Sequence, residues 1–298
     1  CSEKTADVEQ KIEYRNAYAP NNIEALGGVS NSILIYNNTY YNGVESDIGK
    51  NTYDELLPYI AYVDKNKNLL DTMFDSALFL PLNPGTDGEH SLMKQSGWEH
   101  YLKNTIGAAE DINMTALDRL VGDIKAELDL GDDFQFPVLM TVPYTSPSTA
   151  VFGTLDGSAS VSLDTLEGCE AVVEWFVDES IAAFEDADFQ NLKLVGFYWY
   201  AELVNYAASD FGEALVQSFN AYVHSKDLGT MWIPYYCAPG MERAVELGFD
   251  VACVQNGYAF PKEDSENGLV QPGVIADSLD IAYRYGLGAE IELQLVED

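Results

Sequence analysis

Short apolar runs that end in Gly, Pro, Asn or Asp recur along this chain, and they predict β-strands. The runs are almost continuously apolar, which is typical of parallel strands covered on both faces rather than of strands with one wet face. Seven strands are predicted in this way: residues 32–36, 73–80, 137–144, 194–200, 230–236, 251–255 and 289–295.

Segments with helical spacing of apolar residues lie between the predicted strands. Asp164 followed by Glu167 predicts the start of one helix. Its buried stripe is expected to contain Cys169, Val172, Val173 and Phe176. Residues 98–130 are expected to hold one or two helices, and a third stripe is predicted at Ile275, Leu279 and Ala282. Residues 53–64 fit both a helix and an extended segment, and their apolar spacing favours the helix.

Alternating strands and helices of this length predict an α/β fold with a parallel sheet. The length of 298 residues suits one domain, so we predict a TIM-like (β/α)8 barrel over residues 31–298, preceded by a tether over residues 1–30. The eighth strand is either the segment near Tyr59 or absent, which leaves the last strand missing or atypical. An open doubly wound sheet is the alternative, although no GxGxxG motif follows a predicted strand.

The charge balance narrows the range of partners. The chain has 15 Lys and Arg against 49 Asp and Glu, a formal net charge of −34. Nucleic acids and anionic membranes are bound through Lys and Arg, so neither is expected as a partner. A neutral or cationic ligand is favoured, and a salt-tolerant acidic surface without chemical meaning is the alternative.

The first residues suggest a cellular location. The chain opens with Cys1 and stays hydrophilic until about Ile23. This resembles a mature bacterial lipoprotein, in which an acylated cysteine is followed by a polar tether. The prediction is therefore an extracellular or cell-surface protein that meets the membrane only through a lipid anchor at Cys1. A chain that begins at a cysteine for another reason is the alternative.

Three glutamates give the strongest chemical signal. Glu202 follows the fourth predicted strand, and Glu290 and Glu292 share one face of the seventh. Carboxylates in apolar strands are costly unless they are paired or functional. Because the carboxyl ends of barrel strands surround one site, these side chains are expected to meet there. Alternatively, Glu202 caps the next helix, while Glu290 and Glu292 join a structural hydrogen-bond network.

Aromatic and amide side chains near the strand ends predict a sugar site, because flat rings stack on sugars while their polar groups bind hydroxyls. The candidate substrate-binding residues are Tyr198, Tyr200, Trp232, Tyr235, Gln255, Asn256, Tyr258 and Asp75. For Asp75 a structural hydrogen-bonding role is an equal alternative. No cofactor or metal is expected: the stretch from Asp64 to Asn68 lacks the glycine of a calcium loop and is predicted to be a polar turn.

Six short motifs occur in order: LPYIAYVD at 57–64, FDSALFL at 74–80, GFYWYAE at 196–202, WIPY at 232–235, GFD at 248–250 and EIE at 290–292. Together they resemble the bacterial family known as domain of unknown function 4855, from about Ile33 to the end of the chain. This resemblance implies a secreted or surface barrel that acts in carbohydrate processing. It implies no particular substrate.

The positions of the glutamates resemble those of retaining barrel glycosidases, in which the acid/base follows strand four and the nucleophile ends strand seven. That resemblance implies Glu202 as acid/base and Glu292 as nucleophile, with Glu290 as the competing choice. Ala201 stands where that superfamily usually has Asn, so the chain departs from the superfamily pattern next to Glu202. The expected function is retaining glycoside hydrolysis of a neutral or cationic glycan. A carbohydrate-binding protein without catalysis is the alternative, and a non-glycan hydrolase stays open because fold does not fix function.

Overall fold

The computed structural model describes residues 23–37, 40–41, 44–45, 49–66, 68–82, 90–143, 145, 151–155, 157, 159–206, 210–258 and 273–292. Cys1 and most of the predicted tether lie outside the described residues, as do Tyr144 and residues 293–295 at the ends of two predicted strands. Residues 23–30 are part of the folded body. They form a 3-10 turn, Ile23–Leu26, whose Leu26 is buried in the core.

Seven parallel strands form the central sheet, and their spatial order follows their order in the chain. They are β1 (Ser32–Tyr36), β2 (Ser76–Leu80), β3 (Phe136–Val142), β4 (Leu192–Trp199), β5 (Gly229–Trp232), β6 (Val251–Gln255) and β7 (Gly288–Glu290). Every pairing between neighbours is parallel. The predicted α/β fold with a parallel sheet is confirmed at this level.

Six α-helices surround the sheet in the described part of the chain. They are α1 (Tyr53–Ile60), α2 (Gln95–Ile106), α3 (Asn113–Leu128), α4 (Leu166–Ala187), α5 (Gly212–His224) and α6 (Gly273–Tyr285). None of these described helices is long and apolar enough to cross a bilayer. Residues 98–130 thus hold parts of two helices, as predicted. The predicted stripe of α4 is buried, although its N-cap is Thr165, whose hydroxyl accepts from the Gly168 N–H at 3.1 Å, and not Asp164.

The ambiguous segment at residues 53–64 contains both structures. Its first part is α1, as favoured, and begins with a capping box in which the Thr52 N–H donates to Glu55 at 2.9 Å. The next residues, Ala61–Val63, pair antiparallel with Leu69–Thr72 and stay apart from the central sheet. The prediction of an eighth barrel strand near Tyr59 is therefore wrong. Two further antiparallel pairs, Tyr40–Tyr41 with Val44–Glu45 and Val151–Gly153 with Val161–Ser162, are also separate from it.

The stripe predicted for α6 is wrong at two of its three positions. Ala282 is buried, but Ile275 and Leu279 are 38% and 52% exposed. The helix packs on β6 and β7 through the side that carries Ser278 and Ala282. Small residues on that side let the helix approach the strands closely, so the larger apolar residues face outwards.

The central sheet is curled into a half-barrel, which shortens the distance between its first and last strands. Tyr36 ends β1 and Glu290 ends β7, which are six strand spacings apart, or about 29 Å in a flat sheet. Yet the Glu290 carboxyl raises the pKa of the Tyr36 hydroxyl, after burial, which is the larger cause. Such an effect requires the two groups to be much closer than a flat sheet allows.

The 3-10 turn packs against β4 and β5, where Gly196 and Gly229 leave room for the Leu26 side chain. A Cβ added to Gly196 would lie 2.3 Å from the Gly229 carbonyl oxygen and 2.7 Å from Leu26 Cδ2. We expect Gly196→Ala to lower the free energy of unfolding by about 1–3 kcal/mol, the usual cost of overpacking, as measured by urea titration. Gly273→Ala is the control, since no atom of the described residues lies within 4 Å of its added Cβ. Equal urea midpoints for the two variants would contradict this packing.

Candidate active site

The three predicted glutamates come together at the carboxyl end of the sheet. Glu202 lies three residues beyond the end of β4, Glu290 ends β7, and Glu292 follows two residues later. The negative charge of Glu292 and that of Glu202 both raise the pKa of Glu290, and the charge of Glu202 raises that of Glu292. In each case burial is the larger cause. Side chains from distant parts of the sequence therefore form one acidic cluster, which we define as Glu202, Glu290 and Glu292.

Gln255, the last residue of β6, links two members of the acidic cluster. Its amide Nε2 donates to Glu202 Oε1 at 3.5 Å. Hydrogen bonding by the same side chain lowers the pKa of Glu290 and of Glu202, which limits the rise that burial causes in both. The amide thus lies between the two carboxyl groups, and Gln255 orients them. This role was not foreseen by the prediction that Gln255 binds sugar hydroxyls.

The turn after β6 holds the end of β7 and the third glutamate. The Gly257 N–H donates to Glu292 Oε2 at 3.0 Å, and this bond favours the charged carboxylate. Asn256 donates from Nδ2 to the Glu290 carbonyl at 2.9 Å and accepts from the Tyr258 N–H at 2.7 Å. Asn256 was predicted to bind substrate, but its side chain is bound to the main chain and acts in positioning this turn.

Tyr198 and Tyr200 alternate with Trp199 at the end of β4 and point towards the acidic cluster. Burial raises the pKa of Tyr200 to about 12, with smaller contributions from Tyr36 and Glu202. Burial also raises that of Tyr198, followed by the charges of Glu202 and Glu290. The intervening Trp199 faces the other side, where its ring centroid lies 5.0 Å from that of Phe219 in α5. The two tyrosines therefore line the site next to the acidic cluster.

Tyr36 belongs to the site but was not a sequence candidate. Its side chain is 49% exposed, and after burial its pKa is raised by Glu290, Glu202 and Glu292 in turn. One available signal was its place as the last residue of β1, where barrel strands present their side chains to the site. The missing information was the curl of the sheet, which brings β1 towards β7.

Trp232 was predicted to stack on sugars, and this prediction is wrong. The side chain is fully buried and stacks on Phe249 with centroids 5.0 Å apart and planes 15° apart. Its indole N–H donates to the Ala201 carbonyl at 2.6 Å. Trp232 therefore packs in the core and holds the backbone immediately before Glu202.

Two aromatic candidates remain open to solvent near the strand ends. Tyr235 is exposed, and its backbone N–H donates to the Glu202 carbonyl at 3.1 Å, which places it beside the acidic cluster. Tyr258 is also exposed and follows the Gly257 turn that binds Glu292. Both rings are therefore accessible to a ligand, which stacking on a sugar requires.

Asp75 lies away from this site, at the amino end of its strand. The predicted strand 73–80 begins only at Ser76, so Asp75 precedes β2 instead of lying within it. Its carboxylate accepts from the Ser30 N–H at 3.0 Å, the Ser30 hydroxyl at 2.7 Å and the Asn31 N–H at 2.9 Å. Asp75 therefore fixes the turn before β1, which is the structural alternative, and it is not placed to bind substrate with the acidic cluster.

The remaining alternatives for the polar residues are also resolved by contacts. The Asp64 carboxylate accepts from the N–H groups of Asn66 and Asn68 at 2.7 and 2.9 Å, which is the predicted polar turn. Helix α5 has Phe211 as its N-cap, so Glu202 does not cap it. Within the described residues, no Lys, Arg or His forms a salt bridge with the acidic cluster. The described residues therefore provide no structural ion-pair network for the cluster.

Glu290 is the most perturbed member of the acidic cluster. Burial, then the charge of Glu292, raises its pKa to about 7, although Gln255 opposes the shift. Its Oε2 atom is buried and has no hydrogen-bond partner among the described residues. A folded-state pKa above the unfolded value means that the folded protein holds this proton more tightly, so stability falls as pH rises between about 4.5 and 7.

We therefore expect Glu290→Gln to become progressively more stable than the wild type as pH rises through that range. The gain should level off above about pH 7 and reach at most about 3 kcal/mol. Urea unfolding of both proteins at several pH values measures it. A difference that does not change with pH would show that Glu290 is not desolvated in the folded state.

A comparison with protein families gives one match. The family model described as Domain of unknown function (DUF4855) matches residues 31–296, which include all seven strands of the sheet and every member of the acidic cluster. No curated protein matches the chain. The family match agrees with the resemblance carried by the six short motifs.

Proposed function

The chain belongs to the family described as Domain of unknown function (DUF4855), and from the geometry of its candidate site we propose that the protein is a glycoside hydrolase. The single observation that carries this proposal is the acidic cluster. Two separate regions of sequence supply carboxyl groups to one end of a curled parallel sheet, among exposed tyrosines and without salt bridges to described basic residues. Glycoside cleavage requires such a carboxyl pair.

The environments of the carboxyl groups suggest different roles. Glu202 is exposed to solvent at the surface of the site, while burial of part of its side chain raises its pKa, so it suits the acid/base that meets the leaving oxygen. Glu292 accepts the Gly257 N–H, which favours its charged form and suits the nucleophile. Glu290 lies deeper and is not needed for either step.

The proposed reaction has two displacements. Glu202 donates its proton to the glycosidic oxygen while a Glu292 oxygen attacks the anomeric carbon, which releases the aglycone as an alcohol and leaves a covalent glycosyl ester. Glu202, now a carboxylate, takes a proton from water, whose oxygen attacks the anomeric carbon and frees Glu292. The product keeps the anomeric configuration of the substrate.

The same proposal interprets the curled sheet as a TIM-like (β/α)8 barrel whose last strand is missing or atypical. Two observations support it. The candidate site lies at the carboxyl ends of the strands, where barrel enzymes carry their active sites. Burial, and then the charge of Glu290, raises the pKa of Tyr36, which favours a short distance between the two edge strands, as closure would require.

Digestion of a panel of neutral and amino-containing polysaccharides and aryl glycosides tests the proposal. NMR of the fresh product reports the anomer, and we expect it to match that of the substrate. A product with the inverted configuration would show that Glu292 acts as a general base that activates water, and not as the nucleophile. Binding of glycans without cleavage of any member of the panel would favour the alternative, a carbohydrate-binding protein without catalysis.

A further inference from the structure

The acidic cluster contains one carboxyl group more than glycoside cleavage uses. With Glu202 and Glu292 assigned to the reaction, Glu290 is left over, yet it is the most deeply placed of the three. Its Oε2 atom is buried without a hydrogen-bond partner among the described residues. A buried carboxyl oxygen without a partner is costly and rare, and such atoms are expected to have a functional reason.

Among the described residues, no basic side chain forms an ion pair with the acidic cluster. The groups that act on Glu290 are Glu292, Gln255 and Glu202, and none of them is cationic. The basic residues seen in described ion pairs are bonded elsewhere, as Arg243 is to Glu213 and Lys226 to Asp178. The net charge of −34 adds to this negative potential. The site therefore attracts a positive ligand.

Three tyrosine hydroxyls add unfilled hydrogen-bonding positions around the acidic cluster. Tyr198 is only 3% exposed, and the charges of Glu202 and Glu290 act on its hydroxyl, so it points into the cluster. Neither this hydroxyl nor those of Tyr36 and Tyr200 forms a hydrogen bond with another described residue. Each can donate one hydrogen bond and accept another. A ligand with several polar groups would satisfy them together.

The geometry favours an organic cation over a metal ion. In the part of the chain that the structure describes, no three Asp, Glu, His or Cys side chains are close enough to share a metal. A protonated primary amine on a sugar ring fits better, because its three N–H groups point in different directions and each needs one acceptor. The ring itself can lie against the exposed tyrosines.

We propose that the substrate is a glycan of amino sugars with free, protonated amines, and that Glu290 is the residue that receives the ammonium group. This inference rests on the proposed function and names the substrate class of the same site. The ammonium would donate a hydrogen bond to Oε2 and neutralise one charge of the acidic cluster. N-acetylation removes that charge, so acetylated glycans should bind less well.

Binding of matched sugars tests this directly. The probes are the methyl glycosides of glucosamine and galactosamine, their N-acetyl forms and the neutral parent sugars, titrated into the wild-type protein near pH 7 by calorimetry. We expect at least one amine to bind about tenfold or more tightly than its acetylated form, the effect of one charged hydrogen bond at a desolvated site. Equal or weaker binding of both amines would overturn the proposal without the need for any variant.

Two substitutions locate the effect. Glu290→Gln should abolish the preference for the amine, and Glu127→Gln, which changes an exposed glutamate on α3, should keep it. A preference that survives in Glu290→Gln would contradict its role. Cleavage of neutral glycans without any amine preference would refute the substrate class and leave the hydrolase standing. An amine preference with no cleavage of any glycan would support the amine-binding role of Glu290 and refute the hydrolase.

Discussion

Glu292→Gln and Glu202→Gln are each expected to cut the rate of glycan hydrolysis steeply without unfolding the protein. The amide of Glu292→Gln cannot form the glycosyl ester, so cleavage should fall below detection. Loss of the acid in Glu202→Gln should lower kcat by about 10²–10⁴-fold on natural glycans, whose leaving alcohol needs a proton. Initial rates on the best substrate of the polysaccharide panel, with circular dichroism to confirm folding, give the measurement.

The leaving group separates the two roles. An aryl glycoside with an acidic phenol departs without protonation, so Glu202→Gln should retain much more activity on it than on a glycan, whereas Glu292→Gln should not. Glu179→Gln, on the exposed side of α4, is the control and should behave as the wild type. If Glu290→Gln alone were inactive on the aryl glycoside, the nucleophile would be Glu290. Normal turnover in Glu202→Gln and Glu292→Gln would end the proposal that this is a glycosidase.

The convergence of the glutamates could be predicted because it depends on chain direction alone. Parallel strands present their carboxyl ends at one edge, so Glu202 after β4 and Glu290 at the end of β7 had to share that edge. Alternation along β4 similarly places Tyr198 and Trp199 on opposite faces of the sheet. Neither inference required knowledge of how the strands pack laterally.

Other features depended on distances that the sequence does not encode locally. Tyr36 joins the site only because the sheet curls and brings β1 towards β7. Asp75 was misplaced because the predicted strand began at Met73, whereas hydrogen bonds from Ser30 and Asn31 hold Asp75 in the turn before Ser76. A boundary error of three residues placed within the strand a carboxylate that lies just before it. Strand boundaries are the least reliable part of a sequence-based assignment.

Burial was also difficult to infer for aromatic side chains. Trp232 and Tyr235 belong to the same motif near the end of β5, and both were expected to bind sugars. The chain leaves the strand after Trp232, where Pro234 cannot donate to the sheet, and Tyr235 rejoins it through a bridge to Gln255. This irregular turn buries one ring against Phe249 and leaves the other exposed, a difference that alternation alone does not predict.

Removal of the Trp232 side chain is therefore expected to act mainly on stability. Trp232→Ala loses the contact with Phe249 and leaves a cavity, which typically lowers the free energy of unfolding by about 3–5 kcal/mol. The Ala201 carbonyl also loses its indole donor next to Glu202. Tyr235→Ala removes an exposed ring and should change stability by less than about 1 kcal/mol, while weakening the binding of sugars that stack on it.

Urea unfolding and sugar titration of both variants measure these opposite effects. Trp232→Phe separates the two contributions, because it keeps a ring against Phe249 but lacks the N–H that donates to the Ala201 carbonyl. We expect its stability to lie between those of the wild type and Trp232→Ala. If Trp232→Ala were as stable as the wild type and had lost sugar binding, the indole would face the ligand and not the core. The backbone before Glu202 would then need another support, since the Trp232 N–H is the contact that holds the Ala201 carbonyl in this structure.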